Sequence, residues 1–388
     1  MMTRHFTDIL IEHYSIAGVA LVAIFIVLFL IQCIYYMRHY RRVAKYLNNR
    51  CRQKIHPTPP DVSLIVPMFS ENCDYLETTL PLIMEQKGVN FELVIVYVGK
   101  NKDFFDDIMR HKQMLGNIRC TMIEQNERFP ISVKTTLNVG IKAARNEHIL
   151  FTTTETKPTS EKWLSLMAKG FQRGDVVVGY CGIADDDNLS TRLIRLSRLT
   201  QSISWLSSAV SGKPYRAIRT NMGFTKTLYN KAKGFNHLNM NIGEDDLFMQ
   251  KIMTKLNTSI ILNPKATVVE KCWGGGAWWL DTERFFRSSE ALYPTAVKQG
   301  AAWEMTSRVL MALVYVVILV VMPLEVIAFA TVLILLRLII VLLSVKRVAK
   351  RLGEGGLMGT YILYDILSPI FGLLLKIKML RRDDRVWR

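Results

Sequence analysis

The chain has 388 residues, 50% of them hydrophobic, and its 50 lysines and arginines against 33 acids leave a formal net charge of +17. That length holds two ordinary domains or one larger domain with membrane segments, and an apolar share concentrated at both ends argues against a wholly soluble enzyme. The cations gather beside the apolar runs, as in membrane anchoring; a membrane and an anionic nucleotide substrate are therefore expected partners, and nucleic acid is not.

After a tail at 1–13, the stretch 14–37 reads as a transmembrane helix, because Ile16 to Tyr36 is apolar but for Gln32. A span takes roughly 20 residues at about 1.5 Å each. A cleaved signal peptide would have a shorter apolar core and a small-residue cleavage site. Arg38, Arg41, Arg42, Lys45, Arg50, Arg52 and Lys54 follow in a basic linker, 38–60, against Arg4 on the other side. The positive-inside rule then puts the next domain in the cytoplasm.

That domain, 61–300, begins after Pro57-Thr58-Pro59-Pro60. Val62 to Pro67 is a β-rich run ending in proline and the polar Ser70-Glu71-Asn72. Helical spacing over Tyr75 to Gln86 leads to a buried strand over Phe91 to Val98, then a helix from Phe104 to Leu115. A third strand (Ile118 to Ile123), a helix (Val133 to Ala144) and a fourth strand (His148 to Thr152) complete the first half. The second half reads as a helix over Trp163 to Phe171, a strand over Asp175 to Tyr180 and a long amphipathic helix over Leu189 to Ala209. Such alternation implies an α/β domain with a mostly parallel sheet, whose ligands sit at the carboxyl ends of its strands. The six cysteines show neither metal-binding nor redox spacing, which suits a reducing compartment.

Gly243-Glu244-Asp245-Asp246-Leu247-Phe248 places three adjacent carboxylates before two large apolar residues. The apolar pair reads as the buried start of a helix, whose dipole tolerates acids at its N-terminus. Carboxylates held this way suit a general base or a metal site, and the alternative is a solvated acidic turn. Further on, Trp273-Gly274-Gly275-Gly276-Ala277-Trp278-Trp279 has the aromatic, flexible character of an interfacial or substrate-covering loop. Residues 301–345 then form a transmembrane hairpin turning at Pro323-Leu324-Glu325, with Arg337 inside its second arm. An arginine at that depth should snorkel or pair. A basic loop at 346–356, a third apolar segment at 357–376 and a basic tail at 377–388 complete the chain. Asp365, Pro369 and basic flanks leave the third segment open between a span, a re-entrant piece and an interfacial helix.

This order of elements resembles the membrane-bound family 2 glycosyltransferases, on the strength of Val66-Pro67 with Phe69 and Glu71, the acidic Gly243 to Phe248 motif, and Pro214-Tyr215 with Arg219-Thr220-Asn221. The resemblance implies a GT-A type nucleotide-sugar-binding domain over about 61 to 293, with transmembrane helices at both ends. Carried over by position, Pro67, Glu71, Thr153 and Glu155 bind the nucleotide sugar, and Glu155 meets a divalent metal, Mg2+ or Mn2+. Asp245 is the base for the acceptor hydroxyl, flanked by Glu244 and Asp246. Arg219, Asn221, Arg284 and Arg287 contact the acceptor or the diphosphate. Three family signatures are altered. Val98-Gly99-Lys100 lacks the usual aspartate, Thr153-Thr154-Glu155 stands where the family has Asp-x-Asp, and Thr282 to Phe286 only roughly matches Gln-x-x-Arg-Trp. The implied function is an inverting glycosyltransferase acting on a lipid-linked or polysaccharide acceptor at the cytoplasmic face of a bacterial inner membrane. Its alternative is an inactive relative that serves a partner synthase subunit.

Overall fold

The computed structural model describes residues 16–46, 56–125, 131–237, 245–272, 275–277, 279–280, 293 and 295–380. Its first helix is α1 (Ile16–Ala44), and the α/β segment then runs β1 (Val62–Met68), a π-helical turn at Tyr75–Thr79, α2 (Leu80–Met84), β2 (Phe91–Gly99), α3 (Lys102–Leu115) and β3 (Ile118–Glu124). Next come α4 (Val133–Ala143), β4 (His148–Phe151), β5 (Thr156–Pro158), α5 (Trp163–Gly170), β6 (Val176–Val178), β7 (Cys181–Ile183) and α6 (Leu189–Val210). They are followed by β8 (Met222–Thr225), α7 (Lys226–Lys231), α8 (Leu247–Ile252), β9 (Thr258–Ile260) and β10 (Val268–Glu270). Three long helices close the chain: α9 (Thr295–Val321), α10 (Leu324–Leu352) and α11 (Met358–Leu380).

Every residue of β1 is buried, as an apolar strand covered on both faces by helices should be. It lies between β2 and β4 in a seven-stranded sheet of order β3-β2-β1-β4-β8-β6-β9. All pairings are parallel except those of β8, which is antiparallel to β4 and to β6. Helix α4 lies so close to the sheet that a Cβ on Gly140 would come within 2.6 Å of Ile65. A second sheet, β5-β10-β7, was not expected from the sequence, and its strands are three residues long. The five described cysteines are free.

The terminal helices overrun the boundaries expected from hydropathy. α1 continues through Arg38, Arg41 and Arg42 to Ala44, so the linker expected at 38–60 begins as helix. α10 carries its basic residues to Leu352, which shortens the loop expected at 346–356 to a few residues after Gly353, an αL cap. The third segment is one continuous helix with Pro369 inside it. Charged ends do not stop a helix whose long side chains reach the interface. Among the described residues, four helices are long and apolar enough to cross a membrane.

Polar side chains tie these helices together. Arg337 of α10 pairs with Asp365 of α11, and its Nη2 donates to Gln32 of α1 at 3.1 Å. Arg308 of α9 donates to the same Asp365 at 3.2 Å and to Ser368 at 2.8 Å. Gln32 also donates to Ser307 at 2.7 Å. The arginine that needed a partner has one. Below this cluster, Glu354 of the α10–α11 loop enters the α/β domain. It accepts from Tyr180 at 2.8 Å and from Arg195 Nη2 at 2.9 Å. Burial holds the Glu354 carboxyl above the usual carboxylate range despite the neighbouring Arg195.

Candidate active site

The parallel strands end on one side of the sheet, and there β1, β2 and β3 leave a cleft of about 620 Å³ walled by Phe69, Ser70 and Glu71, by Tyr97 to Asn101, and by Gln125. Glu71 is exposed on this wall. Pro67 is buried in β1 opposite Val96, beneath the cleft rather than lining it. The missing acid at 98–100 has a packing counterpart. Residues two apart share a face of a strand, and Tyr97 folds over Gly99 so closely that a Cβ there would meet its hydroxyl at 2.2 Å. Phe104 holds the Tyr97 ring from α3, with ring centres 5.3 Å apart. Burial, and then the charge of Glu71, raise the Tyr97 phenol.

At the end of β4 the chain turns tightly through Thr153-Thr154-Glu155. The Thr156 hydroxyl donates to the Thr153 carbonyl at 2.9 Å, and the Thr153 N–H donates back to that hydroxyl at 3.3 Å. Glu155 is half-buried, and its Oε1 accepts from Asn72 Nδ2 at 3.2 Å. Asn72 Oδ1 meanwhile accepts from the Tyr75 N–H at 2.9 Å. One amide therefore fastens the loop after β1 to the loop after β4. The sequence had marked Asn72 only as part of a polar run, because its role depends on a contact 83 residues away. Among the described residues, no group of three His, Cys, Asp or Glu side chains could hold a metal. Glu155 is the carboxylate this turn supplies, and hard cations need several oxygen ligands.

The two described acids of the third region have different settings. Asp246 is 1% exposed; its Oδ1 accepts from Leu247 N–H at 2.6 Å at the start of α8, and its Oδ2 accepts from Tyr293 OH at 2.6 Å. Arg216 Nη1 donates to the same Tyr293 oxygen at 2.8 Å. Burial raises the Tyr293 phenol, with Arg216 opposing and Asp246 reinforcing the rise. Asp245 is half-buried, and its carbonyl accepts from Ala217 N–H at 2.9 Å. Phe248 anchors the helix behind both acids, fully buried against Phe224, Tyr229 and Phe235. Gly243, Glu244, Arg284 and Arg287 lie outside the described residues. Nothing in the sequence singles out Tyr293.

Asn221 is buried with both ends of its amide engaged. Trp163 Nε1 donates to its Oδ1 at 3.0 Å, and its Nδ2 donates to the Tyr180 and Ala266 carbonyls at 2.8 and 2.9 Å. Arg219, two residues earlier on the same 3-10 turn, is half-buried. The geometry thus makes Asn221 the fastening of the turn that carries Arg219. Tyr293→Phe should cost about 1.5–3 kcal/mol, the range for hydrogen bonds to charged groups, because Asp246 and Arg216 each lose a contact. A thermal melt unchanged from the parent protein would contradict this.

Residues 63–236 match the family model described as glycosyl transferase family 2. No curated protein sequence matches the chain significantly. Among solved structures, the mannosyltransferase PcManGT from Pyrobaculum calidifontis, in complex with GDP-Man and Mn2+, is 17% identical. The match covers 91% of this chain and 99% of that one at a TM-score of 0.54, which establishes likeness of fold. TarS of S. aureus in complex with UDP-GlcNAc matches at 16% identity and a TM-score of 0.40, over 75% of this chain and 73% of its own. Sheet order, family match and fold agree: residues 63–236 match glycosyl transferase family 2, and the chain has the fold of a GT-A glycosyltransferase.

Proposed function

We propose that the protein transfers a sugar from a nucleotide donor to a lipid-linked or polysaccharide acceptor, with inversion, at the cytoplasmic face of a bacterial inner membrane. The observation that carries this reading is the division of labour at Asp245 and Asp246. Asp246 is spent on holding α8, while Asp245, the residue before it, is half-exposed. In the step proposed, Asp245 takes the proton of the acceptor hydroxyl as that oxygen bonds to the anomeric carbon. The bond from that carbon to the diphosphate oxygen breaks, and its electron pair leaves with the nucleoside diphosphate. Arg219, Arg284 and Arg287 are candidates to meet the developing negative charge, and the cleft beside Glu71 would take the nucleoside. A divalent cation, Mg2+ or Mn2+, would supply further positive charge to the leaving group when bound, and Glu155 is the side chain that would hold it. The basic flank of α1 supports the cytoplasmic placement.

A second reading, an inactive relative that assists a partner synthase, draws on one observation: Tyr97 fills the space above Gly99 where the family places an acid. Thermal unfolding with UDP or GDP and either metal separates the two. A donor-binding enzyme is stabilised by at least one nucleotide, by about 2.7 kcal/mol at a ligand concentration one hundred times Kd. Glu155→Ala should abolish the metal-dependent part of that shift. Absence of protection by any nucleotide would sink the enzyme reading.

A further inference from the structure

The donor and base assignments leave unused a cavity of about 180 Å³ where α6 of the α/β domain meets α1, α9 and α11. That is about six water molecules' share of liquid volume, room for one sugar ring or a glycerol unit. Ser197, Gln201 and Ser204 of α6 give the lining hydroxyl and amide groups, and Phe371 and Leu375 of α11 add apolar surface beside Ser368. Trp279 stands at its edge, its ring 5.5 Å from that of Phe371. The indole N–H of Trp279 is buried with no hydrogen-bond partner among the described residues. Buried donors ordinarily have acceptors.

Depth and charge narrow the ligand. Tyr35, Tyr36 and Tyr40 line the cavity from the end of α1, next to Arg38, Arg41 and Arg42, which is where aromatic belts and basic flanks mark the membrane interface. The charges around the cavity cancel: Arg308 lies 3.4 Å from Glu304 and 3.2 Å from Asp365, and Arg337 pairs with Asp365. A phosphate would have to displace one of these carboxylates, whereas an uncharged polyol would not. On the side of the base, Tyr215 packs edge-on against Tyr293 at 5.6 Å, and Tyr293 holds Asp246 beside Asp245.

We propose that this cavity binds the uncharged, hydroxyl-bearing head of a membrane lipid, such as a glycosyl diacylglycerol, with its chains passing along α11 into the bilayer. The proposal rests on the transferase reading for its role as acceptor site, but binding itself does not need that reading. The full chain, carrying a photocrosslinking amino acid in place of Ser204, is placed in phosphatidylcholine nanodiscs. These are doped with equal amounts of monoglucosyl diacylglycerol or of a polyprenyl phosphate. Labelling should favour the glycolipid by about tenfold, equivalent to about 1.4 kcal/mol. Gly372→Phe, which fills the cavity from α11, and Trp279→Leu, from its edge, should each abolish the preference in protein that melts like the parent. Preferred labelling of the polyprenyl phosphate, equal labelling of both lipids, or a preference that survives both variants overturns the proposal. Capture of the glycolipid without transfer from any donor would leave this inference standing and remove the transferase reading; transfer without capture would do the reverse.

Discussion

Asp245→Asn should lower kcat by about 10²–10⁴-fold, the usual contribution of a general base, while donor binding and the melting temperature stay at parent values. The amide keeps the size of the side chain and removes its capacity to take a proton. Asp246→Asn should behave in the opposite way. Its side chain caps α8 and accepts from Tyr293, so the change weakens two contacts to a 1% exposed carboxylate and lowers stability before it touches chemistry. Measuring kcat and thermal unfolding on both variants separates the roles. A native-like Asp246→Asn that loses kcat, beside an active Asp245→Asn, would reverse the assignment.

The sequence carried the large strands and helices because burial on two faces writes a continuous apolar run, as in β1 and β2, and burial on one stripe writes helical spacing, as in α3. It did not carry β5, β7 and β10. Three residues are too few to show a period, and their pairing joins positions as far apart as Thr156 and Glu270. Glu354 is hidden in the sequence for a similar reason. In the chain it is one acid in a glycine-rich turn, and only folding brings it to Tyr180 and Arg195. The acidic motif was legible as a motif, but not which of its acids turns inward; that is decided by Tyr293, 47 residues away. At Gly99 the sequence showed a lost acid, and the packing of Tyr97 adds that an acid could not simply be restored there. Gly99→Asp would require a smaller residue in place of Tyr97 as well.

The membrane half makes the largest stability prediction. Asp365 is the shared partner of Arg337 and Arg308, so Asp365→Ala removes one carboxylate and takes a counter-charge from two guanidinium groups. Breaking a buried pair by removing one member costs about 3–5 kcal/mol, because the charge left behind is unpaired in a medium that solvates it poorly. The expected result is a large drop in the thermal midpoint of the protein in nanodiscs, with α11 loosened from α9 and α10. Arg337→Ala should cost less, since Arg308 still neutralises Asp365. Replacing Arg337 and Asp365 together by leucine tests whether the pair stabilises or only specifies. Buried ion pairs exchanged whole for apolar residues are often neutral or better, but here Arg308 would still face the gap, with Glu304 3.4 Å away as its remaining acid. The double variant should therefore recover part of the loss and not all of it. Full recovery would mean that Glu304 alone satisfies Arg308. No recovery would mean that Gln32, which donates to Ser307 and accepts from Arg337, depends on the arginine to hold α1 in place.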